Sequence, residues 1–419
     1  MYDIARLQKA LKEMWSKLAP EERAKLEKQA IAGHEYLLSI RSGAAPEMKA
    51  PVPRELLLLY SLLHDDPDGL LKDAASLDSE VTHVGADGEV YFGNVDFDST
   101  DPKWAYCPWA WYETGPTVPF AAPPATPPAV VEIPDTATLA ILGDWGGNNA
   151  PAQQVAAAVR NIEADYFVHL GDVYYAGTNE NGLVETNYQE ENFLGPWPGT
   201  SGKSFNLNSN HDMYAHAIGY FNTALASPMF SAQAGCSYFA LFNSSFRFVG
   251  LDTAYFDPDQ SGTGFMTGNL NSGQEEFLLA QARSAAQQNQ KLILFTHHNG
   301  LSMDGETKLS LWNQIVAQLT PLNGQSVIWY CGHEHVGAVY QPQTAGQVTI
   351  LPRCCGHGCI PWGIPSNLQG KSQVLWFEDE VLGPGSNYFV TNGFATLSLN
   401  GASITETFYN QSGDAHWTS

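Results

Sequence analysis

The sequence predicts an α/β protein. Its main domain is a two-sheet β-sandwich flanked by helices, behind an N-terminal, mainly helical accessory domain. Three observations carry this reading. Between residues 135 and 340, apolar strand-like runs alternate with helical ones. Beyond residue 347, strand-like runs follow one another without helices, which suits a second sheet facing the first. A proline-dense stretch at 116–134 (Pro116, Pro119, Pro123, Pro124, Pro127, Pro128, Pro134) reads as a stiff linker between an accessory domain at 1–115 and the main domain at 135–419.

A chain of 419 residues is long enough for two domains and a sizeable core. At 44% hydrophobic and 15% charged it is too apolar to be disordered. No run of 18 apolar residues marks a membrane span. The opening Met-Tyr-Asp-Ile-Ala-Arg lacks the apolar core of a signal peptide, which leaves the compartment open. A net charge of -24 argues against nucleic acid and anionic membranes as partners, because both select basic surfaces. Residues 135–419 hold 8 basic residues against 23 acidic ones, a balance that also suits a cation-binding body.

The elements follow in order. Leu7, Leu11, Met14, Trp15 and Leu18 recur at helical spacing within 5–42, and Pro20-Glu-Glu-Arg opens a second helix. Leu56 to Leu63 continues as a short apolar helix. From Val81 to Tyr112 the texture turns strand-like and aromatic. This region carries no catalytic constellation and reads as a cap, a dimerisation element or a protein-contact module.

After the linker, Thr138 to Leu142 reads as a strand, Ala150 to Ile162 as a helix and Tyr166 to Leu170 as a strand. Runs at 237–242 and 245–251 read as a hairpin turned by Asn243-Ser-Ser. Helices at 274–287 and 309–319 alternate with strands at 292–295 and 327–330. Runs at 372–377, 388–398 and 403–408 close the chain as strands. The tract Cys354-Cys355-Gly-His357-Gly-Cys359 has metal-binding residue types but no Cys-x-x-Cys partner elsewhere. It reads as a partly buried loop.

Five strand ends carry polar residues of one chemical kind: Asp144, Asp172 with Tyr175, Asn210 with His211, His297, and His333 with His335. Ligands of α/β folds gather at the carboxyl ends of strands. Imidazole, carboxylate, amide oxygen and phenol together favour zinc, manganese or iron. The set is too large for one ion and suits a pair sharing a carboxylate.

These residues resemble the metallophosphoesterase (calcineurin-like phosphoesterase) superfamily, whose pattern is Asp, Gly-Asp, Gly-Asn-His-Asp/Glu, a lone His and Gly-His-x-His. Gly143-Asp144-Trp145-Gly146-Gly147 and Gly171-Asp172-Val173-Tyr174-Tyr175 are most similar to its purple acid phosphatase branch, the second through Gly-Asp-x-x-Tyr. The resemblance spans roughly 137–340 and leaves out 1–115. It implies a phosphate-ester hydrolase using hydroxide formed on a dinuclear centre. Asp144, Asp172, Tyr175 and His335 would hold Fe(III). Asp172 would bridge, and Asn210, His297 and His333 would hold Fe, Zn or Mn. His211 would donate a proton to the leaving oxygen.

Three departures bear on substrate. Ser209 replaces the glycine of Gly-Asn-His, and His297-His298-Asn299 stands where His-x-Pro is usual. His298 is thus either a substrate contact or the group that fixes its neighbour's tautomer. The further substrate histidine of purple acid phosphatases is missing, with Asp304, Glu306 and Lys308 in its place. That leaves room for a phosphodiesterase with a divalent Mn, Zn or Fe pair. A non-catalytic, metal-stabilised interaction protein is a third reading, opposed by the presence of His211. Asp212, Asp252 and His169 are candidates only to support the ligands, and His169 alternates toward the core.

Overall fold

The computed structural model describes residues 127–178, 188–255, 264–360, 368–381 and 390–419, with a few positions between 82 and 121. The chain divides into two compact units, Met1–Thr117 and Val118–Ser419. In the first, β1 (Thr82–Val84) and β2 (Val90–Phe92) pair antiparallel. The helices expected within 5–42 and at 56–63 lie outside the described residues.

The second unit begins with β3 (Val130–Glu132), β4 (Thr136–Leu142), α1 (Ala150–Ile162), β5 (Tyr166–His169), β6 (Ser204–Asn206) and the short α2 (Asn210–Tyr214). The expected hairpin follows as β7 (Phe239–Phe242) and β8 (Phe246–Leu251). Next come α3 (Ser272–Gln288), β9 (Lys291–Thr296), α4 (Ser310–Gln318) and β10 (Ser326–Cys331). The remaining elements are β11 (Gly337–Tyr340), β12 (Gln343–Ala345), β13 (Val348–Cys355), β14 (Val374–Phe377), β15 (Gly393–Asn400), β16 (Ser403–Asn410) and β17 (Ala415–Thr418).

Local chemistry sets the helix ends. The Asn149 side chain accepts from Ala152 N at 3.1 Å and Pro151 sits in the first turn of α1. The Asn271 side chain does the same for α3, accepting from Gln274 N at 2.9 Å.

Two sheets result. One runs β14-β11-β13-β10-β9-β8-β7-β3, with β12 added on β13; the other runs β17-β16-β15-β4-β5-β6. Neighbours β4, β5 and β6 are parallel, as are β8, β9, β10 and β13. Their carboxyl ends therefore collect at one edge of each sheet.

Alternation along a strand explains the layers. In β9, Ile293 and Phe295 face the core between the sheets with Ile141, Val168, Phe205 and Phe408. Leu292 and Leu294 face the other way, against Leu278 and Ala282 of α3 and Leu311 and Ile315 of α4. A strand buried on both faces has no polar alternation, which is why β9 reads as one apolar run. The mixed α/β architecture with two sheets is the one the βαβα-then-β order predicts.

The cysteine tract departs from its expected form. Cys354 and Cys355 end β13, an inner strand, and with Cys359 they are fully buried free thiols. Pro352 disguises this strand in the sequence. It pairs with Trp329 on the β10 side. On the other side β12 pairs only as far as Ile350 and β11 begins at Arg353. The proline thus sits where β13 changes partners and no ladder needs its N–H.

Candidate metal centre

Each candidate ligand leaves a strand at that shared edge. Asp144 follows β4, Asp172 follows β5 and Asn210 follows β6, while His297 follows β9 and His333 and His335 follow β10. The turns are tight. Asp144, Asp172 and His333 adopt positive φ (55°, 76° and 66°), a conformation non-glycine residues seldom take. Gly171 has φ 106°, and a Cβ there would come within 2.8 Å of His297 Nδ1. A Cβ on Gly332 would meet Asp144 Oδ2 at 2.5 Å. The glycines of Gly-Asp and Gly-His thus let two backbones close around the ligands.

The side chains converge in two groups. Asp144, Asp172 and His335 form one, with a ligand atom of each within 4.8 Å of the others; His297, His298 and His333 form another by the same measure. Asn210 Oδ1 belongs to the second, 2.8 Å from His297 Nε2 and 3.1 Å from His333 Nδ1. Asp172 stands between the groups. Its Oδ1 lies 3.3 Å from His297 Nε2, while its Oδ2 accepts from the Tyr174 hydroxyl at 2.9 Å.

The phenol in the first group belongs to Tyr174. Its hydroxyl is also 3.2 Å from Asp144 Oδ1 and 3.2 Å from His335 Nε2. Tyr175, the residue that Gly-Asp-x-x-Tyr selects, packs its ring edge-on to Tyr188 at 5.8 Å. Its carbonyl accepts from His211 Nδ1 at 2.6 Å, which turns His211 Nε2 toward Asp172 Oδ2, 3.9 Å away. Two tyrosines side by side make the spacing signal ambiguous by one residue, so Tyr174 was legible only as part of the pair.

The electrostatics follow from burial and from the packing of acids against imidazoles. Asp144 and Asp172 are buried and hydrogen-bonded to each other. Burial, followed by the charge of Asp172, holds the Asp144 carboxyl well above the usual carboxylate range. Burial works the same way on Asp172, but the imidazoles of His297 and His211 and the bond with Asp144 outweigh it and keep Asp172 ionised. Burial, with help from His297, lowers His333 to about 3. Burial also lowers His297. Buried imidazoles and carboxylates packed together are the donor types a metal recruits. Asp172 Oδ1 and His298 Nε2 are buried without hydrogen-bond partners, and the ion pairs of the two carboxylates among the described residues are with histidines alone. The donor set therefore fits two cations.

The supporting residues have separate duties. Leu170 O meets His297 Nδ1 at 2.9 Å and so fixes its tautomer, a task His298 does not perform. His298 Nδ1 lies 2.8 Å from Thr253 Oγ1. Asp212 accepts from Ser209 Oγ and Gln189 Nε2, each at 2.6 Å, and burial raises its carboxyl to about 8. Ser209, in the glycine position, caps α2 by accepting from Asp212 N at 3.3 Å. Asp252 accepts from Asn208 Nδ2 at 3.2 Å. His169 is a core residue, 2.8 Å from Asn206 Oδ1, its ring tilted against Phe193 and edge-on to Trp197. Asp304 and Glu306 both pair with Lys371.

Residues 137–337 match the family described as Calcineurin-like phosphoesterase. No curated protein matches the chain. Among solved structures it is similar to GAP50, the anchor in the inner membrane complex of Plasmodium, at 16% identity over 68% of this chain and 88% of that one, TM-score 0.45. It is likewise similar to a dimetal phosphatase from Danio rerio, at 15% identity over 68% of this chain and 98% of that one, TM-score 0.42. Among the described residues no helix is long and apolar enough to cross a membrane.

Proposed function

With a calcineurin-like phosphoesterase domain as premise, a family that implies phosphoester hydrolysis at a dimetal centre, we propose that this chain is a phosphate-ester hydrolase of the purple acid phosphatase type. Asp144, Asp172 and His335 hold one cation and Asn210, His297 and His333 the other. The observation that carries this is Asp172, whose two carboxylate oxygens face separate donor groups, as a bridging ligand requires.

A phenolate at the first site favours Fe(III), with Fe, Zn or Mn at the second. Of the two adjacent tyrosines, Tyr174 has its hydroxyl against Asp144, Asp172 and His335. A metal pair held there would supply charge neutralisation at a phosphoryl group and a more acidic water. The protein's part is to place the proton. His211 is oriented by the Tyr175 carbonyl, which accepts from Nδ1, so the ring can give a leaving alkoxide a proton from Nε2 only when it is protonated on both nitrogens.

A second reading, a diesterase with a divalent pair, is favoured by one observation. Lys371 engages both acids of the 304–306 segment, so that segment offers no imidazole to a doubly charged monoester. The deciding experiment compares a chromogenic phosphomonoester with the matching diester on metal-analysed protein across pH. Faster monoester turnover with an acid optimum supports the first reading, and diester preference at neutral or higher pH supports the second. Silence on both with two metals bound overturns the proposal.

A further inference from the structure

The geometry points to a third imidazole at the second cation site: we propose that His298 is a ligand there beside His297, His333 and Asn210. This rests on the dinuclear reading above. It makes that half of the centre nitrogen-rich and selective for Zn(II) or Fe(II) over Mn(II).

His298 is 1% exposed, and its Nε2 has no hydrogen-bond partner. A buried ring nitrogen with nothing to bond is costly, and native proteins seldom leave one. The other side of the ring is engaged. Nδ1 is 2.8 Å from Thr253 Oγ1. With Nδ1 donating to that hydroxyl oxygen, Nε2 presents its lone pair. This is the arrangement of a metal-ligating histidine, whose second nitrogen donates to an oxygen of the protein.

The position agrees. One ring nitrogen of His298 lies within 4.8 Å of those offered by His297 and His333. The ring centroids are 4.9 Å from His297 and 4.8 Å from His333. The residue is also held in place. Thr296 Oγ1 donates to its carbonyl at 2.8 Å, and its own N–H donates to Thr253 Oγ1 at 3.2 Å. A Cβ on Gly268 would come within 2.6 Å of the His298 Cβ, so the neighbouring backbone lies directly against it.

The two roles open from sequence are met less well. Leu170 already fixes the His297 tautomer, and a ring with 1% exposure presents little surface to a substrate. Three imidazoles with an amide and a carboxylate oxygen suit Zn or Fe, whereas Mn favours oxygen-rich sites.

The test uses the full chain stripped of metal and reloaded with Zn(II) or Mn(II). Stepwise affinities are read by competition with a chromophoric chelator, and folding is checked by thermal melting. In wild type two Zn(II) bind. In His298→Ala and in the closer-sized His298→Gln, the first Zn(II) should bind as before and the second at least tenfold more weakly. Mn(II) at the second site should weaken by less than threefold. A measurement on wild type alone guards against misfolded variants: on Zn(II) loading, the His298 Nε2 resonance in histidine-labelled protein should move to a metal-bound position. Unchanged second-site affinity in both variants, or an unmoved Nε2 resonance with two zincs bound, overturns the proposal and leaves the dinuclear reading intact. Fewer than two zincs in wild type overturns both.

Discussion

Asn210 and His297 meet across the two sheets, with the amide Oδ1 2.8 Å from the imidazole Nε2. One residue leaves β6 in the six-stranded sheet and the other leaves β9 in the nine-stranded sheet. The proposed second cation site therefore draws on both layers. Asn210→Ala removes an oxygen donor and leaves His297 and His333 in place. The expected result is loss of the second metal and a fall in turnover of at least about 100-fold, the upper end of what misplaced ligand support alone costs. Metal analysis beside the rate measurement checks both parts.

The adjacent tyrosines give a second prediction. Tyr174 has its hydroxyl among the carboxylates and His335, whereas the Tyr175 ring packs on Tyr188. In protein loaded with Fe(III), Tyr174→Phe should abolish any phenolate-to-iron colour, and Tyr175→Phe should leave it. The opposite pattern, read by visible absorption, would return the ligand role to Tyr175.

Much of the site was legible because its chemistry is written in short motifs behind apolar runs. Asp144, Asp172, Asn210, His297, His333 and His335 are each introduced by a strand whose composition announces it, and the parallel order of β4, β5 and β6 brings their ends together. Three features were not legible, each for a physical reason. A choice between Tyr174 and Tyr175 depends on the direction of the backbone after Asp172, which no composition encodes. Strand β13 contains a proline that its change of partners makes harmless, so its apolar pattern looked broken. The surroundings of His298 come from Thr253 and Phe265, residues distant in sequence that carry no motif.

Metal removal should destabilise the fold as well as silence it. Asp144 and Asp172 lie buried and share a hydrogen bond, and cations bound as proposed would let both carboxyls ionise. A site filled to about 100 times its Kd contributes about 2.7 kcal/mol. In a unit the size of Val118–Ser419 that is a Tm shift of about 4 °C per ion. Melting after chelation and again after reloading two equivalents of Zn(II) tests this, and an unchanged Tm would count against buried charge compensation.

Acid should unfold the protein through histidines outside the site. Both ring nitrogens of His357 are buried without partners, the ring stacks on Phe408, and burial, then the charge of His416, lowers it to about 3. His169 is lowered by burial to about 4. Between these values and the ordinary 6.5, the unfolded chain binds protons that the folded chain does not. Stability is therefore intact above about pH 6.5 and falls as pH drops through the window toward 3 to 4. His357→Asn should flatten the decline of Tm between pH 6.5 and 4 relative to wild type, even if its Tm at pH 7 is lower. An equally steep decline would mean that His357 is not among the groups taking up protons.

The ion pair that joins the two sheets gives the clearest stability test. Arg353 of β13 donates from Nε and Nη2 to Glu406 of β16, at 3.0 and 2.9 Å, and the Tyr330 hydroxyl of β10 donates to the same carboxylate at 2.8 Å. Both charged residues are buried, at 6% and 4% exposure. Attraction inside the sandwich roughly offsets the loss of hydration, so the pair as a whole adds little, but either partner alone is a buried charge without compensation. Glu406→Ala should cost about 3–5 kcal/mol, and Arg353→Met a similar amount. The double variant Arg353→Met/Glu406→Leu should recover much of that loss, because it leaves apolar side chains between sheets that are already apolar. Denaturant melts of the four proteins close the cycle. Losses that simply add in the double variant would show that the two residues act independently, and that the pair does not hold the layers in register.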